Sequence, residues 1–130
     1  MRTGKKDGEL FESVIAGDPP AVETALALGA DANARDKDGC TPLHYAVNDL
    51  GTVLYLVGSG VDVNARDKLG AQPIHAAAFR GKLDVVRYLV EKGADVNSKG
   101  PGGATPLHDA VAMSHIEVKN ADYAGVVKFL

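Results

Sequence analysis

From Leu83 to Lys92 the order LDVVRYLVEK sets Leu83, Val86, Leu89 and Val90 on one side and Asp84, Arg87 and Glu91 in one polar stripe. That spacing predicts an amphipathic helix with a single buried face. Just upstream, Ala76, Ala77 and Ala78 belong to a second, shorter helix whose nearly bare surface lets a neighbour approach closely, and Gly81 breaks it from the first. Neither helix can bury its apolar side alone. Such pairs complete a core by stacking on copies of themselves, which is the property of a solenoid.

The copies are visible. GADANARDKDGCTPLH runs from Gly29 to His44, GVDVNARDKLGAQPIH from Gly60 to His75, and GADVNSKGPGGATPLH from Gly93 to His108. Asn33, Asn64 and Asn97 are 31 and then 33 residues apart, and the same steps separate Pro42, Pro73 and Pro106. Gly29, Gly60 and Gly93 each follow an apolar run and read as left-handed helix terminators. The stretches from Asp31 to Gly39, Asp62 to Gly70 and Asp95 to Gly103 are rich in Asp, Asn and Gly and read as extended loops with a tight turn. A helix start follows. Thr41 or Thr105 serves as N-cap, Pro42 or Pro106 fits the first helical position, and His44 or His108 falls at the third, where the hydroxyl can bond its backbone N–H. In the middle copy Gln72 replaces the threonine, which predicts a weaker cap before His75.

The phrase G-x-TPLH-x-A, followed by G-x-L-x-V-V-x-x-L and GADVN, resembles the ankyrin repeat over residues from about 9 to 130. The resemblance implies an all-α solenoid of about four units, each a pair of antiparallel helices with a projecting β-hairpin loop. The expected units are a cap at 1–36, a second at 37–67, a third at 68–100 and a fourth at 101–130. The cap lacks the TPLH phrase; Leu10 and Phe11 take core positions, Pro19 and Pro20 open its second helix, and Glu9, Glu12 and Glu23 make a polar outer face. The second unit is two residues short around Asn48 to Gly51, and Gly51 and Gly58 in or near its second helix make it the expected soft spot. In the fourth, eight residues are added within SHIEVKNADYAG, either as a larger loop or as a helix longer by about two turns, with Ile116, Val118 and Tyr123 the apolar members. The sequence stops at Leu130 before another GADVN, which reads as a piece of a longer array with an exposed inner surface open to self-association.

Composition sharpens this picture. With 130 residues the chain is one ordinary domain, and 45% hydrophobic residues suit a packed core, while 5% aromatics and 15 glycines suit closely stacked short elements. The net charge of −3 comes without a basic stripe, so nucleic acid is not an expected partner. No apolar segment approaches a membrane span and no signal peptide is visible, which makes the cytoplasm the default location. A single cysteine, Cys40, excludes an internal disulfide.

Candidate chemistry is thin. His44, His75 and His108 share one repeat slot and so read as structural, His115 as solvated, and Cys40 lacks a local histidine partner. The run from Gly100 to Gly103 has no preceding strand and no following Lys-Ser or Lys-Thr, so it is a hairpin tip and not a phosphate cradle. No catalytic residue, metal ligand or cofactor is expected; a histidine-based hydrolase or metal protein is a weaker alternative.

The resemblance implies a non-enzymatic module that binds another protein through its concave face and hairpin tips. Carried over onto this chain, the contact positions are Lys37, Asp38 and Cys40; Lys68, Leu69 and Ala71; Pro101, Gly102 and Ala104; and, at the ends of the first helices, Asn48 and Asp49, Phe79 and Arg80, Ala112 and Met113. Phe79 has two readings, an exposed anchor beside Arg80 or a residue packed between neighbouring helices. The competing function is a regulatory or targeting segment of a larger enzyme or effector.

Overall fold

A computed structural model describes residues 5–115 and 121–130. Its helices are α1 (Lys5–Ala16), α2 (Pro19–Ala27), α3 (Pro42–Ala46), α4 (Leu50–Gly58), α5 (Pro73–Phe79), α6 (Leu83–Glu91), α7 (Pro106–Met113) and α8 (Tyr123–Phe129), with a short 3-10 turn at Pro101–Gly103. They form two layers. Helices α1, α3, α5 and α7 pack in succession in one, and α2, α4, α6 and α8 in the other. The fold is an all-helical solenoid of helix pairs.

Local chemistry sets the boundaries. Asp18 caps α2 by accepting the Ala21 N–H at 3.2 Å, Asp49 caps α4 through Gly51, and Asp122 caps α8 through Gly125. Two residues beyond α2, α4 and α6, Gly29, Gly60 and Gly93 take φ of 98°, 86° and 102°, the left-handed region where a side chain is strained. The core joins the layers: Leu43, Val47, Val53, Leu56, Ile74, Ala78, Val86 and Leu89 are fully buried. Val85 is buried as well, although the sequence pattern left it off the inward stripe, whereas Leu83 and Val90 are only half-buried. In α6 the inward face is wider than one stripe because α4, α5 and α8 all pack on it. In the first unit Leu10 and Phe11 are buried, Val14 joins them, and Glu9, Glu12 and Glu23 are exposed.

Two expectations need correction. No strand forms among the described residues, so the loops are not paired β-hairpins. Their tight turns are present: Asp36, Asp67 and Gly100 each donate the backbone N–H to the carbonyl four residues on, at Cys40, Ala71 and Ala104. The arms are held by side chains instead of a ladder. Secondly, α7 ends at Met113 and α8 starts at Tyr123, so the first helix of the fourth unit is not lengthened; Tyr123 is buried, and Ile116 and Val118 lie outside the described residues. The start of α3 is a capping box between Thr41 and His44: the Thr41 side chain faces the His44 N–H, which also bonds the Thr41 carbonyl, and the His44 ring Nδ1 accepts the Thr41 N–H at 3.0 Å. At Thr105 the hydroxyl takes the His108 N–H, at 3.4 Å. Gln72, by contrast, sends its carboxamide nitrogen to the Asn64 carbonyl at 2.9 Å and leaves its buried Oε1 without a partner.

Candidate interaction surface

The repeated histidines tie each unit to the next. Nδ1 of His44 accepts the Thr41 N–H at 3.0 Å, and Nδ1 of His75 accepts the Gln72 N–H at 3.1 Å. A nitrogen that accepts from an amide carries no proton, so Nε2 carries it and donates along the stack, from His44 to the Ala71 carbonyl of the next unit at 2.9 Å and from His75 to the Ser98 carbonyl, in the loop that leads into the fourth unit, at 3.0 Å. Both rings are therefore neutral, and burial lowers the pKa of His44 below its ordinary 6.5. His108 makes the same Nδ1 bond to the Thr105 N–H at 3.1 Å, but its ring is exposed.

A second set of links was not anticipated. Arg35 donates to the Gly39 carbonyl in its own loop and to the Arg66 carbonyl in the next, and Arg66 repeats this with Gly70 and Lys99, adding the Ser98 hydroxyl at 2.7 Å. Asn33 accepts the Asp62 N–H, and Asn64 donates to the Gly93 carbonyl. The asparagines thus join loops as well as turning them. Asp36 and Asp67 each accept the backbone N–H groups two and four residues on, which fixes the turns.

Between the α3, α5 and α7 layer and these loops lies a cavity of about 420 Å3, reaching across three units from Cys40 and Tyr45 to Pro101 and Asp109. It brings together Phe79, Arg80 and Pro101 from the expected contact set, with Cys40 and Ala71. Phe79 is 48% exposed. Leu69 is 77% exposed, away from the cavity lining, as are the exposed Lys37, Asp38, Lys68, Gly102 and Ala112. The tips of the second and third units touch, with the Lys68 N–H bonded to the Asp38 carbonyl. Asn48 is exposed, but Asp49 spends its carboxylate on the Gly51 N–H and the Thr52 hydroxyl, and Met113 is half-buried at the end of α7.

Sequence reading missed Tyr45, Asp67 and Asp109 on this surface. Tyr45, Ala76 and Asp109 occupy one slot, immediately after the repeated histidine, and all three line the cavity. The signal was a letter that changes inside a fixed phrase. The Tyr45 hydroxyl donates to Asp36, and burial together with that carboxylate raises the tyrosine pKa. For Asp36, burial pushes the pKa up, but the Tyr45 hydroxyl and the amides of Cys40 and Asp38 outweigh it and hold it low. The Phe11 ring meets Tyr45 edge-on at 6.0 Å. Burial, with Asp36 and Asp67 nearby, raises the Cys40 pKa, so this thiol stays protonated and a poor nucleophile.

The sequence matches the family described as ankyrin repeats (3 copies) over residues 10–100 and 48–121. The chain belongs to the ankyrin repeat family. It is also 46% identical over 46 residues to a protein of Pyrobaculum aerophilum that bears the name ankyrin repeat protein. That match covers 35% of this chain and 18% of the relative. Ankyrin repeats are generally protein–protein interaction modules and the family is typically non-enzymatic. Among the described residues, no group of three His, Cys, Asp or Glu side chains is placed to hold a metal ion, and no helix is long and apolar enough to cross a membrane.

Proposed function

We propose that this ankyrin repeat chain is a non-enzymatic module that holds a partner protein on the face bearing the cavity, with the loop tips of the second and third units beside it. The observation that carries this reading is Phe79, a large apolar side chain held in the open next to Arg80 at the mouth of a preformed cavity. Aromatic and arginine side chains over a rigid wall are the usual make-up of binding hot spots. The neutral, bonded histidines and the protonated Cys40 offer no activated base or nucleophile there, which favours binding over hydrolysis. The test is the double variant Phe79→Ala/Arg80→Ala measured against a purified partner by calorimetry. Affinity is expected to fall at least about tenfold with helicity unchanged, since loss of one hot-spot residue costs more than about 1 kcal/mol. Unchanged affinity overturns the assignment of this face.

Self-association through the fourth unit is a second reading with its own observation. Leu107 and Val111 are 38% and 52% exposed, while their counterparts Leu43, Ile74, Val47 and Ala78 are fully buried by the next unit. Light scattering across a concentration series tests it. A dimer lost in Leu107→Ser/Val111→Ser is expected, and a monomer at every concentration refutes it.

A further inference from the structure

We propose that the cavity accepts a cationic side chain, an arginine or a lysine, projecting from an extended segment of the partner protein. The proposal rests on the interaction reading above and adds the chemistry of what enters.

The wall of the cavity decides the sign. Two carboxylates line it, Asp67 and Asp109, against one guanidinium, Arg80. The other titratable groups of the lining carry no formal charge: Nδ1 of His44 and of His75 accepts an amide N–H, so both rings are neutral, and the Cys40 thiol is protonated. A wall with one net negative charge and an apolar share from Ala71, Ala76 and Phe79 suits a long aliphatic stem ending in a cation.

Two oxygen acceptors are open to such a cation. Asp67 gives Oδ1 to the Leu69 and Ala71 amides, and among the described residues its Oδ2 meets only the Cys40 thiol at 3.7 Å, a weak donor. The Asp109 carboxylate has no hydrogen-bond partner among the described residues; it is half-buried, and burial raises its pKa against the opposing influence of the nearby His75 and His108. Asp36, one unit away, shows how this protein treats a carboxylate it needs for its own fold, because two amides and a tyrosine hydroxyl satisfy it. A half-buried carboxylate without donors costs free energy that an incoming cation offsets. An acidic side chain would face both carboxylates, and a purely apolar one would bury Asp109 further with no partner. The open Phe79 ring provides the face on which a guanidinium or ammonium gains cation–π contact.

The test uses a displayed library of random ten-residue peptides as the probe and the whole chain as the target. Selected peptides are expected to share an Arg or Lys at one position. Replacing it by norleucine is expected to lower affinity about tenfold at low salt, with the difference shrinking at high salt. Asp109→Asn, and separately Asp67→Asn, which keeps its Oδ1 as an acceptor for the Leu69 and Ala71 amides, should erase most of that Arg-to-norleucine difference while peptide binding persists. Peptides that depend on Phe79 but show no preference for a cation, or prefer glutamate, overturn the present inference and leave the interaction face standing. Selected peptides indifferent to Phe79→Ala, or no selected peptides, overturn both.

Discussion

His75→Ala and His108→Ala remove the same side chain from the same repeat slot, yet they should differ sharply in cost. The His75 ring is 3% exposed and joins two groups, the Gln72 amide at 3.1 Å and the Ser98 carbonyl at 3.0 Å. Removing it strands a buried donor and acceptor, each worth about 1–3 kcal/mol when left without a partner. A cavity in the contact between the third and fourth units is added to that. If water fills part of the hole the sum is still about 2–4 kcal/mol. His108 is exposed, and its ring bonds only within its own helix start, to the Thr105 amide and hydroxyl. Water replaces those bonds, so roughly 1 kcal/mol or less is expected. Urea unfolding followed by circular dichroism measures both, with an unchanged slope required before the midpoints are compared. Equal losses for the two variants, or a loss below about 1 kcal/mol for His75→Ala, would refute the claim that these rings act as bonds between units.

Gly100→Ala probes the same contact from the other side, because an added Cβ would lie 2.9 Å from the His75 Nε2 and push the ring off the Ser98 carbonyl; about 1–3 kcal/mol should be lost in the same unfolding assay. Gln72→Thr should raise stability by about 0.5–1 kcal/mol, since it removes a buried Oε1 without a partner and supplies the hydroxyl that Thr41 and Thr105 place beside their histidines, set against the lost bond to the Asn64 carbonyl. A midpoint that falls would count against that cap. His44 gives a pH dependence: its folded pKa lies below the ordinary 6.5, so the unfolded chain takes up the proton first, and the contribution of the neutral ring is full above 6.5 and lost as pH falls toward the folded value. The unfolding midpoint should therefore drop as the pH falls below the ordinary 6.5, and the drop should be smaller in His44→Gln.

Periodicity made the helix pairs legible because a helix buries the face that its own sequence marks, and the glycines after α2, α4 and α6 mark ends by a backbone angle that other residues resist. Contacts between units are another matter. Val85 looks like a flank of the α6 stripe until three neighbouring helices surround it, and nothing in the spacing of LDVVRYLVEK reveals how many neighbours there are. The family resemblance implied β-hairpins in the loops, but Arg35, Arg66, Asn33 and Asn64 satisfy the loop carbonyls and amides from the side, so no ladder is needed. That was readable in principle. A residue that recurs every 31 to 33 positions in a loop has a partner at the same step along the stack, and the arginine slot holds Arg35 and Arg66 in two copies and Lys99 in the third. The converse locates the candidate surface. Where the fixed phrase admits Tyr45, then Ala76, then Asp109, no bond along the stack holds the side chain to one type, and all three point into the cavity between the helices and the loops. The invariant letters of the repeat build the wall, and the letter that changes sets what the wall can bind.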